Sequence, residues 1–198
     1  MSKRKIKLAV LIGRGGRLPA IYRCCKKNSL VSLALVVSHK KESPGVDLAK
    51  KWGIESFYFR LHEFNNRKEY EKELAGMLKK RKINLIVMAG WDLIMSGEFL
   101  KHFPRQVLNI HPALCPAFPG MDAEKQALDC GVKYTGCTLH FVDEGVDTGP
   151  IILQRVVEIK KNDTVESLQE KIHPKEEEIL CEGIRLFAQG KLEIKGAQ

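Results

Sequence analysis

Apolar residues in the first half of the chain recur in short continuous runs that alternate with amphipathic segments. Continuous apolar runs are typical of strands buried on both faces of a sheet. Apolar residues spaced three and four apart predict helices in the segments between them. We predict strands at residues 6–12, 31–38, 55–59, 83–88 and 107–111, and helices at residues 18–27, 46–52, 68–80 and 96–102.

The second half has a different pattern, with two longer apolar runs around a glycine-rich loop and then a long helical segment. Asp163 or Thr164 is suited to cap that helix. Pro174 lies inside it, so we expect a kink or a break near His173. The predicted strands are residues 135–142 and 150–159, and the predicted helix is residues 164–189.

Alternating strands and helices predict a doubly wound α/β fold with a mostly parallel sheet. The 198 residues suit one domain of ordinary size, and no repeat, low-complexity tract or linker interrupts them. We therefore expect a single domain over residues 1–198.

Composition narrows the class of protein. The hydrophobic fraction of 44% and the charged fraction of 29% are typical of globular proteins. No apolar run approaches the roughly 18 residues of a membrane-spanning helix. Lys7 interrupts the first apolar run, which favours a strand over a signal peptide, so we expect a cytoplasmic protein without a membrane partner. The six cysteines lack metal-ligand spacing, and we expect no metal.

The net charge of +9 is unevenly distributed. The first 27 residues contain nine of the 33 basic residues and no acidic one, whereas the remainder has 24 of each sign. Positive charge around the first loop favours a phosphorylated ligand. No aromatic platform or recognised module accompanies it, so we expect no nucleic acid partner.

The candidate chemistry lies at residues 109–120 and 143–149. Asn109 and His111 share one face of the predicted strand 107–111, and Asp147 follows in the glycine-rich loop. An amide donor for an oxyanion, a proton-transferring His and an Asp that orients it suit acyl transfer to an amine without a covalent intermediate. For His140, a packing role is at least as plausible.

The segment Gly13-Arg14-Gly15-Gly16-Arg17 follows the first strand and opens the first helix. Glycines allow backbone N–H groups to approach an anion at a helix N-terminus. The segment is not a dinucleotide fingerprint, because Pro19 and Ala20 stand where the closing glycine would be. A simple connecting turn is the alternative.

These motifs, in this order along nearly the whole chain, resemble the glycinamide ribonucleotide formyltransferases, a folate-dependent family of purine synthesis. The matching segments are Asn-Ile-His-Pro-Ala-Leu at 109–114, Phe-Pro-Gly at 118–120, Gln-Ala-Leu at 126–128, Gly-Cys-Thr-Leu-His-Phe-Val at 136–142 and Asp-Thr-Gly-Pro-Ile-Ile at 147–152.

The resemblance implies formyl transfer from 10-formyltetrahydrofolate to the amine of glycinamide ribonucleotide, in de novo purine biosynthesis, without a metal. Asn109, His111 and Asp147 would be catalytic. The implied contacts to the ribonucleotide phosphate and ribose are Gly15, Gly16, Arg17, Arg67 and Glu176. The implied folate contacts are Trp91, Asp92, Leu93, Ile94, Met95, Asn109, Val142, Asp143 and Glu144.

Two segments depart from the family pattern. The family loop usually ends in Gly-Ser-Asn, where this chain has Gly15-Gly16-Arg17, and Leu93 replaces a usual arginine. Arg17 offers a guanidinium that can hold phosphate through two hydrogen bonds. The alternatives are a formyltransferase for another amine such as an amino-sugar nucleotide, a formyltetrahydrofolate hydrolase, and a non-catalytic folate or nucleotide binding protein. Each would bind small molecules, as a monomer or homodimer.

Overall fold

The computed structural model describes residues 5–192. Lys3 and Arg4, counted above in the basic first segment, lie outside them. The chain divides into two compact units, with the boundary between Leu108 and Asn109. The expectation of a single domain over residues 1–198 stays a prediction.

The first unit is an α/β unit with parallel strands in the order β3-β2-β1-β4-β5. Residues 8–12 of its central strand are fully shielded from solvent, which agrees with a strand covered on both faces. Its elements are β1 (Ile6–Ile12), α1 (Leu18–Lys27), β2 (Val31–Ser38), α2 (Pro44–Lys51), β3 (Glu55–Tyr58), a 3₁₀ turn (Leu61–Glu63), α3 (Arg67–Lys80), β4 (Leu85–Ala89), α4 (Gly97–Leu100) and the start of β5 (Val107–His111).

The second unit contains the end of β5 and an antiparallel pair, in the order β5-β6-β7. The last helix packs closely on β6 at Gly183, where a Cβ atom would lie 2.1 Å from Cδ2 of Leu139. The remaining elements are α5 (Ala123–Cys130), β6 (Tyr134–Phe141), β7 (Ile151–Glu158) and α6 (Val165–Ala188).

Helix α6 begins as expected and runs through Pro174. Thr164 accepts a hydrogen bond from the N–H of Ser167, and the Ser167 hydroxyl accepts one from the N–H of Thr164. The predicted interruption at Pro174 is wrong as a break, because one helix continues through that residue. Buried side chains on both sides of Pro174, among them Ile172 and Ile179, hold the helix on its core face.

The predicted fold class is confirmed. Strands β1, β2 and β5 and helix α1 have their predicted bounds, and the other predicted elements shift by a few residues at their ends. Helix α5 was not predicted. No helix within residues 5–192 is long and apolar enough to cross a membrane.

Candidate active site

Strand β5 carries two side chains of the candidate site at its carboxyl end. Asn109 and His111 project from the same face because they are two residues apart on a strand. The segment that follows is fixed by Thr138 of β6. Its hydroxyl donates to the carbonyl of Ala113 (2.6 Å) and accepts from the N–H of Cys115 (3.0 Å).

The loop between β6 and β7 presents Asp147. This residue has φ of +55°, a left-handed conformation that Asp tolerates better than most residues. The Asp143 carboxylate accepts from the Thr148 hydroxyl (2.8 Å) and so closes the loop on itself. Gly149 is required where it stands, since a Cβ atom would lie 1.8 Å from the carbonyl oxygen of Phe141.

The Asp147 carboxylate is the point where the cluster converges. Its Oδ2 atom lies 3.2 Å from Nδ1 of His111 and accepts from the N–H of Gly120 at 2.9 Å. Its Oδ1 atom accepts from Nδ2 of Asn109 at 3.2 Å and lies 3.5 Å from Nε2 of His140. The structure therefore brings together the three residues that the sequence singled out.

The His111 ring lies between two acceptors. Its Nε2 atom is 2.8 Å from the carbonyl oxygen of Phe118, and its Nδ1 atom faces the Asp147 carboxylate. Burial pushes the pKa of Asp147 upward. Hydrogen bonds from His140 and Gly120, together with the charges of the two imidazoles, outweigh burial and hold that pKa below its usual value.

His140 belongs to the cluster, although the sequence gave a packing role at least equal weight. Its Nδ1 atom lies 2.9 Å from the Phe141 carbonyl oxygen, and its Nε2 atom lies 3.2 Å from Nδ2 of Asn109. The same Nε2 atom faces the Asp147 carboxylate, so His140 contacts both the amide and the carboxylate of the cluster.

The cluster offers acid–base and electrostatic chemistry. Burial raises the pKa of the nearby Cys115 thiol, and a hydrogen bond with Thr138 opposes that rise only in part. Cys115 is therefore a poor source of thiolate. Within residues 5–192, no group of three or more His, Cys, Asp or Glu side chains could hold a metal ion.

The glycine loop lies in the first unit, between β1 and α1. Gly15 has φ of +89° and packs against Gly45, whose Cα atom would lie 2.8 Å from an added Cβ. The N–H groups of Gly15 and Gly16 have no acceptor among the described residues, and an added Cβ on Gly16 would meet nothing within 4 Å. Arg17 follows at the start of α1, whose first turn has no acidic residue. These features suit an anion, and the phosphate role of the loop stays a prediction.

The predicted folate segment, residues 91–95, follows β4 in the same unit. Trp91 and Met95 are buried, whereas Ile94 is 58% exposed. Asp92 contacts Nζ of Lys40 at 2.6 Å and Nε2 of His39 at 3.3 Å. The Asp92 carboxylate therefore takes part in a local ion pair. The groups of this segment that could contact a ligand are its backbone and its apolar side chains.

The other predicted contacts have distinct environments. Arg67 binds Glu71 and the carbonyl oxygen of Ile94, so within its unit it contacts the predicted folate segment. Glu176 is buried, unlike Glu178, which pairs with Arg155 at the surface. Their ribonucleotide roles stay predictions. So do the folate roles of Val142, Asp143 and Glu144, which leave β6 as the first residues of the Asp147 loop.

The fold is an α/β fold, and its second unit carries a polar cluster around one carboxylate. The formyl transferase family matches residues 6–184, and the chain belongs to that family. The family resemblance seen in the sequence is thereby confirmed.

Relatives of known name agree with this assignment. The chain is 38% identical to the phosphoribosylglycinamide formyltransferase of Bacillus subtilis, over 81% of this chain and 83% of that protein. It is also 38% identical to the human trifunctional purine biosynthetic protein adenosine-3, but there it spans only 19% of the relative's length. The crystal structure of glycinamide ribonucleotide transformylase 1 from Symbiobacterium toebii matches with a TM-score of 0.94 and 41% identity, over 97% of this chain and 92% of that one.

Proposed function

We propose that this protein transfers the formyl group of 10-formyltetrahydrofolate to the primary amine of glycinamide ribonucleotide, a step of purine biosynthesis. The single observation that carries the proposal is the convergence of Asn109, His111 and His140 on the Asp147 carboxylate. The names of the bacterial relatives and of the matching solved structures support the same reaction.

In the proposed reaction, the substrate amine attacks the formyl carbon and forms a tetrahedral intermediate with a negative oxygen. Asn109 would donate an N–H to that oxygen, which requires it to exchange its bond to His140 or Asp147 for the substrate. The His111 ring, held by Asp147, would stabilise the same charge.

A proton must leave the attacking amine, and N10 of the folate must gain one as the carbon–nitrogen bond breaks. Asp147 is the group suited to this transfer, because its low pKa keeps it ionised and able to accept a proton. A water molecule between Asp147 and the substrate nitrogen atoms would complete the relay. The products are formylglycinamide ribonucleotide and tetrahydrofolate.

The deciding experiment incubates purified protein with 10-formyltetrahydrofolate and one amine at a time. Glycinamide ribonucleotide should give a formylated product by mass spectrometry, whereas an amino-sugar nucleotide should give none. Consumption of the folate without any amine would instead indicate a hydrolase. Saturable binding without turnover would indicate a non-catalytic binding protein.

The proposal includes small-molecule substrates only, action in the cytoplasm, and a monomer or homodimer. Light scattering after size-exclusion chromatography tests the oligomeric state, and cell fractionation tests the location. A protein that sediments with membranes or with nucleic acid would contradict this part of the proposal.

A further inference from the structure

Two side chains of α3 contact the backbone that leads out of the predicted folate segment. Arg67 and Glu71 are four residues apart, so they lie on one face of the helix, and Nε of Arg67 is 2.9 Å from Oε1 of Glu71. A terminal nitrogen of Arg67 donates to the carbonyl oxygen of Ile94. Both carboxylate oxygens of Glu71 lie 3.3 Å from the N–H of Ser96, and one accepts from the Ser96 hydroxyl.

Glu71 is unusual because its carboxylate is almost completely buried, with 4% of the side chain exposed. Carboxylates are rarely buried unless donors surround them, and here Arg67 and Ser96 supply a charged donor, an N–H and a hydroxyl. Those donors come from two places, helix α3 and the segment before α4. The carboxylate therefore joins the two rather than stabilising α3 alone.

The contacts fix the backbone over a short stretch. Ile94 is held by its carbonyl oxygen and Ser96 by its N–H and hydroxyl, while Met95 between them is buried. The Ser96 hydroxyl also accepts from the N–H of Phe99 at 3.3 Å, so the same residue caps α4. The backbone of residues 94–96 consequently has little freedom to move without breaking its hydrogen bonds to Arg67 and Glu71.

We infer that Glu71 is a positioning residue for the folate-binding segment, through its contacts with Ser96 and Arg67; this inference rests on the proposed function. Leu93 and the committed carboxylate of Asp92 leave this segment few polar side chains for a ligand. Recognition then depends on where its backbone groups lie. Glu71 fixes that position from a helix that need not touch the ligand.

The test is Glu71→Gln, which keeps the size of the side chain and replaces one acceptor oxygen with a donor that faces other donors. We expect KM for 10-formyltetrahydrofolate to rise by about tenfold, the loss of affinity that corresponds to about 1.4 kcal/mol. At saturating folate, kcat should stay within about threefold, because binding through the segment is what changes. Glu71 also pairs with Arg67, an implied ribonucleotide contact, so KM for glycinamide ribonucleotide should rise as well, but by a smaller factor than the folate KM.

Two further variants separate positioning from general destabilisation. Glu73→Gln is the matched control, because Glu73 is exposed on the same helix, and it should leave every constant unchanged. Ser96→Ala removes one hydroxyl from the carboxylate and should raise the folate KM by a smaller factor, so it tests the inference if Glu71→Gln does not fold. Equal losses in both substrates' KM values and in kcat would overturn the inference, as would an unchanged folate KM.

A fluorescence measurement needs no substrate and separates this inference from the proposed function. The chain has two tryptophans, and Trp91 lies in the segment. In a Trp52→Phe background, which keeps an aromatic ring against Tyr22, emission reports on buried Trp91 alone. Glu71→Gln should shift that emission to longer wavelength, and an unchanged spectrum would overturn the inference. A shift in a protein that transfers no formyl group would support the positioning role and remove only folate as the ligand.

Discussion

The cluster around Asp147 in the second unit is made of side chains, whereas the glycine loop of the first unit offers mainly backbone groups. In the cluster, three side chains meet around one carboxylate, and the proposed reaction uses the chemical identity of its members. In the glycine loop, the groups suited to a ligand are the N–H groups of Gly15 and Gly16.

This difference explains why the two regions tolerate change differently. A side chain that must accept or donate a proton has few substitutes, and the chain keeps Asn109, His111 and Asp147 as the family resemblance implies. A backbone N–H is present whatever the residue, so the loop can read Gly-Gly-Arg where the family usually has Gly-Ser-Asn. Variants in each region should therefore lose activity in different ways.

The largest effect should follow His111→Ala. Loss of the ring that would stabilise the tetrahedral intermediate should lower kcat by about a thousandfold. The melting temperature, measured by circular dichroism, should show that the variant is folded. His62→Ala is the control, since His62 is exposed on the 3₁₀ turn of the first unit. Wild-type turnover in His111→Ala would exclude this residue from the mechanism.

Asp147→Asn should lower kcat by about a hundredfold or more while the loop keeps its shape. Asn tolerates the left-handed conformation at φ of +55°, and its amide oxygen can still accept from Gly120. It has no charge to hold the His111 ring and is a poor proton acceptor. A pH–rate profile with the height and shape of the wild type would make Asp147 a purely structural residue.

A smaller, substrate-specific effect is expected for Arg17→Ala. Loss of a charge-assisted contact to phosphate costs on the order of 1.5–3 kcal/mol, or about tenfold or more in affinity. The variant should lose discrimination between glycinamide ribonucleotide and its dephosphorylated form, with folate KM unchanged. Lys27→Ala, at the far end of α1, is the control. If the wild type already ignores the phosphate, the loop is a connector and the comparison between the two regions fails.

The smallest effect concerns stability at acid pH. Because the fold lowers the pKa of Asp147, the ionised carboxylate stabilises the protein above the unfolded value near 4, and that contribution is lost as the pH falls through the lower, folded value. Urea unfolding from about pH 6 to pH 3 should show a steeper loss for wild type than for Asp147→Asn. Parallel curves would mean that Asp147 contributes nothing to acid sensitivity.

The sequence predicted the parts of this protein that depend on local patterns. Continuous apolar runs located the strands, and the spacing of Asn109 and His111 on one strand was enough to place them on one face. Helix α5 was not predicted from the sequence, because its N-cap residue, Asp122, has a left-handed conformation and makes no side-chain capping hydrogen bond. The stretch before this helix is rich in proline and glycine, a composition that predicts a loop.

Contacts between distant residues could not be predicted from the sequence. His140 and Asn109 are 31 residues apart, and Glu71 and Ser96 are 25 apart, so nothing local indicates that they touch. At Pro174 the local sequence predicted a break, but the helix continues because α6 packs on the core on both sides of that residue.

The Phe141 carbonyl has a consequence for anyone who transplants loops between members of this family. The carbonyl oxygen of Phe141 is the hydrogen-bond partner of Nδ1 of His140. The same oxygen leaves no room for a side chain at position 149. A grafted loop with any other residue in place of Gly149 would displace this oxygen and rotate the His140 ring, even though His140 itself is unchanged. Residues 140–149 should therefore be exchanged together.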